Sequence, residues 1–233
     1  MEHIGEILKG QARNSRTGIL DTQSHPTTHD LTQNPQTSLE EMARSLNVNL
    51  EHTFENFKKV PGAESLVTIF KSVLSGPCFM LLIYGGVGNG KTHLLEASAI
   101  ELYRRGKFAR VLPFPKMLSM PKSAIGNPEL NYQEILSNYC YGDRLIMDDI
   151  GSGDSDTEFG DKILETIVCA RYERELLTIM STNRDTGKMP ERVQSRLQDK
   201  TTSYLVLNKA GDFRLQKKRK DKCKMKPRQC EWQ

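Results

Sequence analysis

Cysteine is scarce in this 233-residue chain and never closely paired. Cys78, Cys140, Cys169, Cys223 and Cys230 include no C-x-x-C pair, which argues against a disulfide framework or a redox motif and implies a reducing, cytoplasmic setting. Cys223 and Cys230 flank a basic run, but the further ligands of a zinc site are missing. No stretch approaches eighteen consecutive apolar residues, so no membrane contact is expected. The N-terminus lacks the basic region and apolar core of a secretory signal. Hydrophobic residues make up only 37% of the chain, and the deficit lies at its ends. From Gly10 to Thr37 the apolar side chains are Ala12, Ile19, Leu20 and Leu31. Residues 1–37 cannot bury a core and read as a disordered or partner-docking segment. His25 and His29 lie four apart there without a further ligand, and read as solvated. There are no internal repeats.

The formal net charge of +4 is unevenly placed. Arg214 to Gln233 carries nine Lys/Arg against two Asp/Glu, a net of +7, which leaves the rest of the chain weakly acidic. Such a tail suits nucleic acid and also suits a solvated end.

Between the ends the pattern is that of an α/β protein. Ser38 and Glu41 form a capping box ahead of an apolar face of Leu39, Met42 and Leu46. That face either docks a partner or packs on the domain, and residues 38–52 read as a short helix and linker. A domain then runs over 53–213, ahead of the tail at 214–233. Leu66, Ile69, Phe70, Val73 and Leu74 recur at helical spacing. Apolar runs at 78–84, 109–113, 144–149, 176–181 and 203–207 predict strands. Helices are predicted over 92–105, 157–175 and 191–197. Apolar strands alternating with helices imply a five-stranded parallel sheet covered on both faces.

The most specific motif is Gly85-Gly86-Val87-Gly88-Asn89-Gly90-Lys91-Thr92. It fits G-x-x-x-x-G-K-[ST] between a predicted strand and a predicted helix, the setting a phosphate-binding loop needs. The glycines let backbone N–H groups converge on phosphate oxygens. Lys91 adds a point charge near the β- and γ-phosphates, and Thr92 offers a hydroxyl to Mg²⁺. His93, next along, is taken with the loop as a nucleotide contact. The strand Arg144–Ile150 carries Asp148 and Asp149. In phosphate-loop enzymes such a strand runs beside the loop, its first acid on the hydrated Mg²⁺ and its second on the attacking water. The run after 176 ends in Ser181-Thr182-Asn183-Arg184. Asn183 is the candidate to sense the γ-phosphate there, and an ordinary Ser/Thr/Asn turn is the alternative. Arg192 and Arg196 follow on a short helix. They suit either a phosphate contact from a neighbouring subunit or a solvated face.

Taken together, the phosphate loop, Asp148-Asp149-Ile150-Gly151, Ala170-Arg171-Tyr172-Glu173, Ser181-Thr182-Asn183, Arg192-Val193-Gln194-Ser195-Arg196-Leu197 and Gly211-Asp212-Phe213-Arg214 resemble the DnaC-type helicase loaders. These are AAA+ ATPases that place a replicative helicase on single-stranded DNA. The IstB transposition ATPases share most of the pattern. The resemblance spans about residues 53–214. It implies an AAA+ phosphate-loop domain without a separate helical lid, using ATP and Mg²⁺ and forming a homo-oligomer when nucleotide is bound. It makes Asn183 the first sensor, Arg196 a finger acting across a subunit interface, and Arg171 a catalytic-site arginine. Asp149 stands where most AAA+ enzymes have Glu, which implies weak or partner-stimulated hydrolysis. Three alternatives accompany the loader reading: an IstB-like transposition helper, a small-molecule kinase and a non-hydrolysing nucleotide-dependent adapter.

Overall fold

A computed structural model describes residues 35–58, 60–127 and 130–213. Residues 1–34 and the basic tail 214–233 lie outside the described residues, and with them His25, His29, Cys223, Cys230, Trp232 and the expectations placed on them.

Five parallel strands form one sheet: β1 Met80–Gly85, β2 Val111–Pro113, β3 Arg144–Ile150, β4 Leu177–Thr182 and β5 Ser203–Asn208. Their spatial order is β2-β3-β4-β1-β5. All five runs predicted as strands form strands, each within a few residues of its expected bounds. β1 explains why the apolar runs are continuous rather than alternating. Met80, Leu81, Leu82 and Ile83 are each fully buried. Leu81 and Ile83 join a cluster with Leu66, Phe70, Leu94 and Leu95, and strand alternation turns Met80 and Leu82 to the other covered face.

Seven α-helices lie among the described residues: α1 Pro35–Leu46, α2 Leu66–Val73, α3 Lys91–Arg104, α4 Phe114–Ala124, α5 Tyr132–Tyr141, α6 Glu158–Glu173 and α7 Glu191–Leu197, with short 3₁₀ turns at Gly153–Ser155 and Thr186–Lys188. The first helix begins at Pro35, three residues ahead of the start that the Ser38 capping pattern predicts. Met42 and Leu46 of its apolar face are buried against the domain, whereas Leu39 is exposed. Leu46 is fully buried, and Asn47 Nδ2 donates to the Val111 carbonyl at 2.9 Å. α6 starts where Thr157 caps it, the hydroxyl accepting from Gly160 N–H at 3.1 Å. α4 and α5 were not predicted. α4 carries Pro115 and Pro121, whose breaker signal hides the period. α5 is opened by Asn131, whose side chain accepts from Gln133 and Glu134 N–H groups.

The order of strands agrees with the sequence reading, in which the end of the 176–181 run lies between the phosphate loop and the acids. β3, with its two acids, is not the immediate neighbour of β1, because β4 lies between them. The polar residues that end β4 are therefore set directly between the phosphate loop and the acids.

Candidate nucleotide site

The loop 85–90 leaves the C-terminal end of β1 and turns into α3. Gly90 takes φ 90° and leads into the helix, so its first N–H groups face outward as an anion site. A Cβ on Gly90 would press on the Phe57 ring at 3.0 Å, so conformation and space both demand glycine. Lys91 is 7% exposed. Its Nζ donates to the carbonyls of Gly85 at 3.0 Å and Gly86 at 2.6 Å, and to Asn89 Oδ1 at 3.1 Å. Burial pushes the ammonium below its ordinary pKa, while the Asp148 and Asp149 carboxylates pull it back up. A phosphate oxygen would replace carbonyl partners with an anionic one, which a buried ammonium favours.

β3 is irregular between Met147 and Ile150, and Asp149 sits at φ 59°. Aspartate tolerates that conformation better than most residues. The bulge turns the two acids to different tasks. Asp148 Oδ2 accepts from the Thr92 hydroxyl at 2.8 Å, and its Oδ1 accepts from the Ser181 hydroxyl. Asp149 Oδ1 accepts from Asn183 Nδ2 at 2.8 Å.

Four successive residues at the end of β4 stitch the site together. Besides donating to Asp148, the Ser181 hydroxyl accepts from the Asp149 backbone N–H at 3.0 Å. Thr182 Oγ1 donates to the Ile150 carbonyl at 2.7 Å. Asn183 holds Asp149. The Arg184 side chain packs on Gly151 and donates to Asp161 at 2.7 Å. Sequence reasoning singled out Asn183 from this run. Ser181 was legible only as part of a short polar stretch closing an apolar strand. Its role needed the irregularity in β3 that presents both acids to one hydroxyl.

The structure thus brings together Gly85 to Thr92, Asp148, Asp149 and Asn183. It sets three predicted residues apart. His93 lies beside the loop, not in it. Its Nε2 is 2.7 Å from the Thr53 carbonyl, and its ring stacks on His52 with 4.5 Å between centroids and meets the Phe57 edge. His52 Nδ1 in turn lies 2.8 Å from Glu96 on α3. This wall of 52–57 against α3 was not predicted.

Arg171 is fully buried at the opposite end of the sheet. Its Nε donates to Thr178 Oγ1 at 2.8 Å. Its terminal nitrogens donate to the carbonyls of Tyr139 at 3.0 Å, Gly142 at 2.6 Å and Leu177 at 2.8 Å. Thr178 is opposite Met80, whereas Thr182 is opposite Tyr84 at the loop. At about 3.3 Å per residue that is about 13 Å along the strand. Arg171 is a structural cation, and the expected catalytic role is withdrawn. Arg196 lies on α7 against its own α6. It is 3.7 Å from Glu173 and stacks over Tyr172 at 5.4 Å. Its buried Nε has no hydrogen-bond partner among the described residues.

Among the described residues no group of three or more His, Cys, Asp or Glu could hold a metal ion. The pair that fits Mg²⁺ is Thr92 with Asp148, two hard oxygens 2.8 Å apart at the mouth of the loop. That cation keeps most of its waters and takes few protein ligands. No helix of the described residues is long and apolar enough to cross a membrane.

Known proteins share the fold. The profile of the bacterial DnaA ATPase domain matches residues 48–208. The chromosomal replication initiator protein DnaA of Citrifermentans bemidjiense is 25% identical over 158 residues, 65% of this chain and 34% of that protein. The chain therefore spans about a third of the length of that relative. AMPPCP-bound DnaA from Aquifex aeolicus superposes with a TM-score of 0.60 at 23% identity, over 79% of this chain and 57% of that one. The DnaC helicase loader superposes with a TM-score of 0.59 at 18% identity, over 69% of this chain and 98% of that one. At these identities the two structures share the fold.

Proposed function

The chain belongs to the family of the bacterial DnaA ATPase domain, and on that premise we propose that it is an ATP-controlled AAA+ switch in replication initiation. In this reading it loads a replicative helicase onto single-stranded DNA. The observation that carries the ATPase part is the continuous hydrogen-bonded path Thr92–Asp148–Ser181–Asp149–Asn183 facing the phosphate loop. The loop N–H groups and Lys91 would bind the β- and γ-phosphates. Thr92 and Asp148 would hold Mg²⁺, which when bound offsets the phosphate charge. Asp149 would orient or deprotonate the attacking water, and Asn183 would fix Asp149 and report on the γ-phosphate. Asp149 is one methylene shorter than Glu, and Asn183 already engages it. Slow hydrolysis follows, suited to a timer rather than a motor. Arg196 would act on the site of a neighbouring subunit, since within its own subunit it is tied to α6.

The DNA and helicase parts draw on the relatives. One solved DnaA structure is bound to AMPPCP and single-stranded DNA, and another likeness is a helicase loader. The basic tail gives a source of phosphate contacts. The test has two stages. Lys91→Ala should lose ATP binding while staying folded; unchanged ATP affinity refutes the nucleotide reading. The wild-type chain should then co-elute with a host replicative helicase in ATP and not in ADP. ATP binding without helicase capture in either nucleotide removes the loader reading alone.

A further inference from the structure

Consecutive residues at the end of β4 each hold one residue of the turn that carries the second acid. Thr182 Oγ1 donates to the Ile150 carbonyl at 2.7 Å and accepts from the Arg184 N–H at 2.9 Å. Asn183 Nδ2 donates to Asp149 Oδ1 at 2.8 Å. The Arg184 stem lies on Gly151, so closely that a Cβ there would stand 2.9 Å from Arg184 Cδ. The turn needs this support. Asp149 takes φ 59° and Gly151 φ 71°, and a non-glycine residue in the left-handed region persists only where its surroundings hold it.

The Arg184 guanidinium braces that stem from behind. Its terminal nitrogens donate to the two Asp161 oxygens at 2.7 Å and 3.3 Å, and one of them also donates to the Lys188 carbonyl at 2.6 Å. Asp156 lies 3.2 Å away. Asp161 stands in the first turn of α6, where the helix N-terminus steadies a carboxylate. Lys188 belongs to the turn ahead of α7, and Gln194 Nε2 fastens that turn to α7 through the Gly187 and Met189 carbonyls. The side chain is only 15% exposed, and its charge is met by two carboxylates rather than held out to a phosphate. We propose that Arg184 is a positioning residue for ATP hydrolysis: braced by Asp161 and the Lys188 carbonyl, its stem fixes the turn at Gly151 and with it the direction of the Asp149 carboxylate. The inference rests on the nucleotide reading of residues 85–92 and on Asp149 as the acid that orients water. It ties the turn behind that acid to the base of the helix that carries Arg196.

Such a brace acts on turnover and not on binding, because the phosphates and Mg²⁺ are left their own partners. A displacement of about 1 Å in the reacting geometry costs about a hundredfold in rate. The Thr182 and Asn183 bonds survive in an Arg184 variant and keep part of the alignment. Arg184→Met keeps the stem and removes the guanidinium, Asp161→Asn removes its charged partner, and Arg184→Lys keeps the charge. MgATP affinity and the single-turnover rate of the full-length chain, with protein in excess and below the unfolding midpoint of each variant, read the effect. Arg184→Met should lower the rate about ten- to hundredfold, with MgATP affinity within about threefold of wild type. Asp161→Asn should shift the rate the same way, and Arg184→Lys should recover part of it. Adding Asp161→Asn to Arg184→Met should cost under about twofold more, since both break one brace. A rate for Arg184→Met within about twofold of wild type overturns the inference. So does an equal loss of MgATP affinity and rate, which would make Arg184 a contact to the nucleotide. Should Arg184→Met fail to fold, Asp161→Asn and Arg184→Lys carry the same comparison. A wild-type chain that binds no ATP removes the reading of residues 85–92, and this inference with it. A wild-type chain that binds ATP and does not hydrolyse it overturns this inference and leaves the binding reading standing.

Discussion

Replacing Arg171 by methionine separates a structural arginine from a catalytic one. The side-chain volume is nearly kept, but four hydrogen bonds go. Thr178 Oγ1 retains a partner, since it donates to the Leu176 carbonyl at 2.8 Å. The Tyr139, Gly142 and Leu177 carbonyls lose the guanidinium. Each buried acceptor left unsatisfied costs about 1–3 kcal/mol. Gly142 is exposed and water can replace its lost donor, so the other two carry most of the loss. Burial lowers the Arg171 pKa to about 10, which leaves the group charged at pH 7, and its own desolvation cost is recovered in the variant. We expect a net loss of about 3–5 kcal/mol, the range for a broken buried network, against a total of about 5–15 kcal/mol for a typical domain. In urea the midpoint should fall by about 1–2 M. Below that midpoint, ATP affinity should stay within about twofold of wild type. An unchanged midpoint together with a large drop in ATP turnover would refute the structural assignment. Arg171→Lys should recover part of the loss, because an ammonium cannot reach three carbonyls and a hydroxyl at once.

Ser181→Ala removes the one hydroxyl that touches both acids; ATP turnover should fall at least about tenfold, the order of one lost charge-positioning bond, with binding of MgATP affected less than turnover, and equal loss in both would argue against a positioning role. Arg196→Ala subunits should be inactive alone and regain turnover when mixed with Lys91→Ala subunits, which supply Arg196; no recovery at any ratio would sink the finger in trans. His93 has a pKa lowered chiefly by burial and further by His52, against the raising effect of the Thr53 carbonyl. Its folded form is the neutral one, so its contribution is complete above about pH 6.5 and is lost as pH falls through the lowered value. Thermal melts at pH 7 and pH 5 should therefore show a larger acid loss for wild type than for His93→Gln, with His52 and Glu96 present in both; equal losses would remove His93 as the cause.

Much of this site was legible because its chemistry is written in contiguous residues. The loop 85–92 needs glycines, a lysine and a hydroxyl in fixed order, and β3 announces itself by an apolar run broken by Asp148 and Asp149. Arg171 shows where such reading fails. An arginine after an apolar helix face matches a family pattern whether it faces substrate or three backbone carbonyls, and the pairing of Thr178 with Met80 rather than Tyr84 decides which. Ser181 fails in the other direction: the strand end was expected between the two motifs, but the irregularity in β3 that brings both acids within reach of one serine hydroxyl carries no sequence signal. α4 escaped because Pro115 and Pro121 mask its period, although a proline in the first turn is no obstacle to a helix.

The insertion of β1 between β4 and β5 has a kinetic consequence. β2 and β3 are joined across 35 positions (Val111 to Ile146) and β3 and β4 across 33 (Arg144 to Leu177). β1 must wait for partners 98 positions later, at Thr178, and 123 positions later, at Ser203. At a synthesis rate of about 5–20 residues per second, that delay is about 5–25 s. Throughout it, the strand that ends buried on every side, Met80 to Ile83, is an unpaired apolar edge on the ribosome-bound chain. The β2-β3-β4 half can assemble first from nearer contacts, and closure around β1 is the late, slow step. Demand for a chaperone during synthesis, and loss to aggregation when β4 or β5 is truncated, are therefore built into the strand order.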